Sequence, residues 1–363
     1  MAKAAGVFLL YSLGWLVCLG QNKPSKLAKL DVEDLPQINI SFKASDHGLP
    51  VPSQTLFLGQ PFCSANGTIF LNARTPPDYG NSSILGISPN SEMYQYQVQN
   101  VPGLTHLLII GMDAKDSDVL LLVSARKKDA LGQVESQNPQ HFLLYVSPGQ
   151  SAPKVVPLKL PFQPIRAVIF EEDQYMVLGM DMINHVPAMA LVDSSGDEVR
   201  AFDSQLLLGQ PGGLVINASK QIRSQTTALP DDWAQLSFVL STAQFVHQGQ
   251  ALVLLIPGRK NEVITFGQDG SAQTLRLHLP DGFEAESLVP SDKYLFVRVA
   301  NERSDGKFLL LMVDPQGGDV MRVVRTPQLS AQDVLCVHDG EYLGIHWAGE
   351  KGKEQLYLMR GKE

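Results

Sequence analysis

Along most of the chain, apolar residues come in runs of four to eight, broken by clusters of Gly, Pro, Asn, Asp and Ser. Runs of this length, rich in Val, Leu, Ile, Phe and Tyr, read as short strands. Six stretches share one plan: "FCSANGTIFLNAR", "IGMDAKDSDVLLLVSAR", "VIFEEDQYMVLGMDM", "FVHQGQALVLLIPGR", "LVPSDKYLFVRVANE" and "CVHDGEYLGIHW". Each is an apolar strand, a tight polar turn and a second apolar strand. Their turn anchors, near Gly67, Ser117, Asp173, Gly249, Asp292 and Gly340, are spaced by 50, 56, 76, 43 and 48 residues. A second series of turns is interleaved: "ISPNSE", "VSPGQS", "VDSSGD", "FGQDGS" and "VDPQGG", beginning at 87, 146, 192, 266 and 313. Capped segments with a 3.6-residue period are hard to find, so the pattern predicts almost no helix.

One repeat is therefore four strands, A to D, over roughly 45 residues, the spacing of a propeller blade. There are six A–B pairs but five C–D turns, and the last repeat runs out of chain after "EQLYLM". That would leave an unpaired sheet edge, an aggregation hazard. Near the other end "LPQINISFKA" is an alternating strand without a local partner. Ile38 to Phe42 is accordingly predicted as the fourth strand of the last blade, closing a circle. The chain resembles a six-bladed β-propeller of four-stranded antiparallel blades. The resemblance is to the architecture, since neither a WD dipeptide series nor a kelch diglycine pattern is present. A two-sheet sandwich, or two smaller all-β domains, fits the strand density but not the phased turns.

The first 26 residues, "MAKAAGVFLLYSLGWLVCLGQNKPSK", have a basic start, an apolar centre and small residues before Gln21. This reads as a signal peptide over residues 1–20, cut near Gly20. The competing reading is a retained membrane anchor, as Ala4 to Gly20 is 17 residues, at the lower limit for a span. No other apolar run approaches the ~20 residues of a spanning helix. The expectation is a secreted or periplasmic chain, 21–363, forming one propeller domain with an insertion at about 204–233. The formal net charge of −8 argues against general nucleic-acid binding. Only Cys63 and Cys336 would remain, each four residues before its blade's turn glycine. They occupy matching positions on blades that become neighbours when the ring closes. Export permits a disulfide there, whereas matching points on adjacent blades can exceed the roughly 7 Å between Cα atoms that a bridge tolerates.

Propeller connectivity puts the A–B and C–D turns on one face and the B–C and D–A connections on the other. The long segments Ala73–Ser83, Ala125–Gln140 and Ser204–Trp233 all belong to the second set. Arg74, Arg126, Lys127, Arg259, Lys260 and Arg303 end B strands on that face, with Trp347 beside them. They form a candidate basic rim for an anionic ligand or an acidic protein surface. Solvated strand ends are the bland alternative. The leading expectation is an exported, non-catalytic binding propeller without a cofactor.

A second reading comes from analogy to propeller enzymes such as lactonases, which hold one divalent cation at the tunnel mouth. Its candidates are Asn72, Asp181, Asn184, His185, Asn301 and Glu302, of which Asp181, Asn184 and His185 cluster in one B–C loop. No H-E-x-x-H, G-x-S-x-G or P-loop pattern occurs. The calcium-like stretch Asp113–Asp118 lacks the glycine and distal Glu of an EF-hand and reads as turn chemistry.

Overall fold

A computed structural model of the chain describes residues 30–45, 48–50, 56–57, 61–74, 83–98, 101–129, 131–134, 138–148, 152–209, 232–259, 261–301, 308–327, 330, 333–348 and 355–363. The candidate signal peptide lies outside these residues, as do Lys260, Glu302 and Arg303. Six antiparallel sheets follow one another, each built of consecutive strands. Blade 2 is typical: Leu104–Lys115, Asp118–Lys127, Gln140–Val146 and Lys154–Pro157. Blade 3 runs Gln163–Glu171, Gln174–Asp181, Val186–Asp193 and Glu198–Phe202. Blade 4 runs Gln244–Gln248, Ala251–Leu255, Glu262–Phe266 and Ala272–Arg276. Blade 5 runs Phe283–Val289, Leu295–Asn301, Phe308–Val313 and Val320–Arg325. Blade 6 has Val334–His338, Glu341–Ala348 and Gln355–Lys362.

Blade 1 has the same plan; among the described residues, Leu56–Phe57 and Phe62–Cys63 both pair Ile69–Arg74 on the inner side, followed by Ser83–Ile87 and Met93–Gln97. Four of the other inner strands carry a one-residue bulge that leaves Ile110, Ile165, Glu286 or Leu335 unpaired in the ladder. A bulge bends a strand and re-aims side chains. The outer strands of blades 3 and 5 are bulged too, at Val199 and Met321, but it is the inner bulges that bear on the ring's interior.

The B and C strands read as unbroken apolar runs because both faces of each blade are covered. In "VLLLV", Val119, Leu121 and Val123 pack with Phe70 and Ile84 of blade 1. Leu120 and Leu122 point the other way, onto Ala167, Ile169 and Val177 of blade 3. A period of two, with both faces buried, produces this pattern. The buried apolar residues fall into six clusters, one at each junction between neighbouring blades, including blade 6 against blade 1.

Closure uses the N-terminal segment, but in two pieces. Ser41–Ala44 pairs antiparallel with Met359–Lys362 and supplies the fourth strand of blade 6, extended by Leu49–Pro50 against Gln355 and Leu356. Gln37–Asn39 instead pairs in parallel with Val323–Arg325, a fifth strand on blade 5. The expected strand Ile38 to Phe42 therefore spans two sheets. Ile38, Ile40 and Phe42 face inward and fill the junction between blades 5 and 6. Cys63 and Cys336 are joined across the blade 6–blade 1 junction, with their Cα atoms 5.8 Å apart.

Among the described residues, the insertion before blade 4 carries two helices that the hydrophobic pattern does not predict: α1 (Ser204–Leu208) and α2 (Asp232–Thr242). Asp203 caps α1 by accepting from Gln205 N at 2.8 Å. Leu207 of α1 and Leu236, Val239 and Leu240 of α2 join the blade 3–blade 4 core. Among the described residues, no helix is long and apolar enough to cross a membrane.

Candidate functional site

The inner strands enclose a central channel of about 1370 Å³. Inner strands run from the face of the long connections down to the A–B turns, so position along the ladder gives height in the channel. His247 and Asp113 lie low, within two steps of their turns. Arg298 and Glu286 lie above them. Asn72, Arg166 and Arg74 lie nearer the mouth. All seven line the cavity. The mouth carries Leu108, 59% exposed, and His106, whose backbone is left-handed at φ 53.

Asn72 and Arg74 belong to the second strand of blade 1 and still line the cavity; among the described residues, Leu71 and Asn72 have no inner partner. Asn72 Oδ1 and Arg74 Nε are buried without a hydrogen-bond partner. Arg166 adjoins the bulge of blade 3; its Nη2 donates to Ser241 O at the end of α2, while its Nε is buried and unpartnered. Burial holds the Arg166 pKa below the ordinary arginine value.

Arg298 donates to Ser287 Oγ at 2.9 Å and to Val334 O, tying blade 5 to blade 6. Burial lowers its pKa to about 10, against an opposing effect from Asp333. Glu286, the bulged residue of blade 5, is half-buried and its pKa is raised, first by burial and then by Glu284. At the floor, Asp113 Oδ2 accepts from Ile169 N at 2.9 Å and lies 3.7 Å from His247 Nε2, which has no hydrogen-bond partner. The expected turn role of Asp113 is thus replaced by a buried one, two residues inside the strand end.

The basic rim dissolves into separate environments. Arg74 is in the channel. Arg126 is half-buried and Lys127 exposed, outside the channel lining. Arg259 is not a rim residue: its side chain is 3% exposed. Its Nη1 donates to Leu206 O and, at 3.4 Å, to Leu207 O, and its Nη2 pairs with Glu262 at 2.9 Å. The carbonyls it satisfies belong to the helix α1 that the sequence pattern hides. Trp347 is 39% exposed at the end of its strand.

Asp181, Asn184 and His185 do share a tight loop. Asp181 Oδ1 accepts from Ile183 N (2.8 Å) and Asn184 N (3.0 Å), and Oδ2 from Asn184 Nδ2 (2.7 Å). These bonds, the Asn184 N–H foremost, hold its carboxyl below the usual aspartate range. Both oxygens are thus committed to the loop, a poor fit to a cation site. Among the described residues, Asp292, His338 and Asp339 bring ligand-capable atoms within 4.8 Å of one another, but on the A–B turn face. There His338 Nδ1 lies 3.0 Å from Ala65 O.

Arg166, Arg298 and Glu286 escape a reading that looks for polar residues in loops. The available signal was charge inside an apolar strand, a lone arginine in "PIRAVIF" and "LFVRVA" and a pair of glutamates in "EAESLV". Lys, Glu, Arg and Asp are rarely buried without a reason.

No protein-family model matches the chain, and no curated protein matches it. Solved structures similar to it include a virginiamycin B lyase from Staphylococcus aureus, 11% identical over 89% of this chain and 100% of that one, with a TM-score of 0.36. YCF48 bound to D1 peptide is 11% identical over 91% and 99%, with a TM-score of 0.41. A protein of unknown function from Dyadobacter fermentans is 10% identical over 88% and 99%, also with a TM-score of 0.41. Likenesses at this level carry no argument about what the chain binds or does.

Proposed function

We propose that this chain is an exported binding propeller that takes its ligand into the central channel from the face of the long connections. One observation carries the reading: Asn72 Oδ1, Arg74 Nε, Arg166 Nε and His247 Nε2 are all buried, unpartnered and around one cavity. Folded proteins leave few buried polar groups unsatisfied, and each exception asks for an explanation. Four such side chains lining a single concave space mark it as a candidate polar pocket for a ligand. Arg126, Lys127 and Trp347 would flank the entrance and meet a larger anionic ligand or an acidic protein surface. Export is supported by the basic and apolar N-terminal segment and by the Cys63–Cys336 bridge, since disulfides persist in oxidising compartments.

The test is a thermal-shift screen of the purified chain against sugars, organic acids and nucleotides. At about 100-fold over its dissociation constant, a ligand should raise Tm by roughly 3–8 °C. Leu108→Trp, which narrows the mouth, should abolish the shift. A ligand bound equally well by Leu108→Trp would overturn the channel as the site. A stoichiometric divalent ion lost on Asp181→Ala would favour the second reading instead, a metal-dependent hydrolase or lactonase with its site at the tunnel mouth.

A further inference from the structure

We infer that Arg74 and Arg166, with Asn72 beside them, form an oxyanion pocket that takes the carboxylate or phosphate group of a small ligand. The inference rests on the channel being the binding site and names the group recognised there. Arg74 ends the second strand of blade 1, and Arg166 lies on the inner strand of blade 3; counted from their turns, they stand about one step apart in height. One step along a strand is about 3.3 Å.

The intervening blade 2 offers Gly111. A Cβ placed there would lie 3.8 Å from Arg166 Cδ and 3.9 Å from its Nη1, so the arginine lies along this bare backbone. Its Nη2 is held on the other side by Ser241 O, ahead of blade 4. The guanidinium is therefore fixed between blades 2 and 4, toward the channel.

The Arg74 side chain makes no hydrogen bond to any described residue, and no described carboxylate is within ion-pair distance of either arginine. Arg298 borders the same space, but its guanidinium serves Ser287 and Val334. Two guanidinium groups facing one polar cavity without a counter-ion suit anion recognition. Their planar fork of N–H donors matches carboxylate and phosphate.

The full-length chain, in chloride buffer at constant ionic strength, would be titrated with sodium phosphate and, separately, sodium acetate, following Tm. One of the two should raise Tm saturably, and which one does so tells a phosphate group from a carboxylate. Arg74→Met should weaken the response at least tenfold without lowering the anion-free Tm, because the Arg74 side chain makes no bond to a described residue and its backbone pairing is kept. Lys43→Met, exposed on the outer strand of blade 6, should respond like the wild type. Arg166→Met loses the Ser241 bond and is expected to lower the baseline, so Arg74→Met decides the outcome. The inference is overturned if neither anion shifts Tm, if Arg74→Met responds like the wild type, or if Lys43→Met abolishes the response. Should a ligand from the screen be blocked by Leu108→Trp yet bind Arg74→Met normally, the channel reading stands and the oxyanion pocket falls.

Discussion

Arginines at equivalent strand ends have divergent fates in this molecule. Arg126 stays at the surface layer, Arg259 folds back under α1, and Arg74 drops into the channel. Sequence position gives strand end and charge in all three cases. The difference comes from neighbours distant in the chain: a short helix 53 residues upstream for Arg259, and for Arg74 the ring of other blades around the cavity it lines. That is why the candidate site was only partly legible. Arg74 and Asn72 were visible as polar strand residues, while Arg166, Arg298 and Glu286 lie in apolar strands and owe their exposure to the ring. Arg259→Ala should be far more damaging than its place on the rim implies, because it orphans α1 carbonyls and leaves Glu262 without its partner. We expect a loss of about 2–4 kcal/mol in denaturant unfolding, against about 0.5 kcal/mol or less for Arg126→Ala. Equal losses would mean that Arg259 is solvated after all.

At the scale of elements, most of the architecture could be read from turn residues. The A–B turns use positive φ at Gly67, Asp116, Asp173, Gly249, Asp339 and Gly340, and the expected anchors lie within about two residues of them in five of six blades. Bulges are harder to see, since an extra apolar or acidic residue in a strand leaves no turn chemistry behind. The helices α1 and α2 were hidden because both are short or apolar and packed, without a clean amphipathic period.

The closing segment was legible as a lone alternating strand, but its division between two sheets was not. The alternation says which side chains are buried, not which neighbour accepts the hydrogen bonds. Phe42 and Ile40 pack against Gly361, where a Cβ would sit 2.4 Å from Ile40 Cγ2 and 3.2 Å from the Phe42 ring. The close approach requires a glycine. Phe42→Ala should therefore cost about 3–5 kcal/mol, measured by thermal or urea unfolding, while Lys43→Ala on the exposed side of the same strand should cost little. Equal effects would show that the segment does not close the ring.

Across the whole molecule, six junctions of one kind make a closed ring, and closure makes the channel. The blade 6–blade 1 seam is held by two devices of different chemistry, the borrowed strand beside it and the Cys63–Cys336 bridge within it. Equivalent cysteines on neighbouring inner strands meet because those strands converge toward the axis, a distance the sequence alone leaves open. The same convergence brings polar residues from separate blades around one space, which neither a sandwich nor two small domains would do. The central claim is that this space receives an anion on Arg74 and Arg166. Its most direct test is a crystal of the full-length chain soaked in selenate, a tetrahedral oxyanion with strong anomalous scattering. The account predicts an anomalous peak inside the channel, bounded by Arg74, Asn72 and Arg166, that disappears in Arg74→Met crystals. A peak confined to the outer rim near Arg126 and Lys127, or a channel with none, would contradict it.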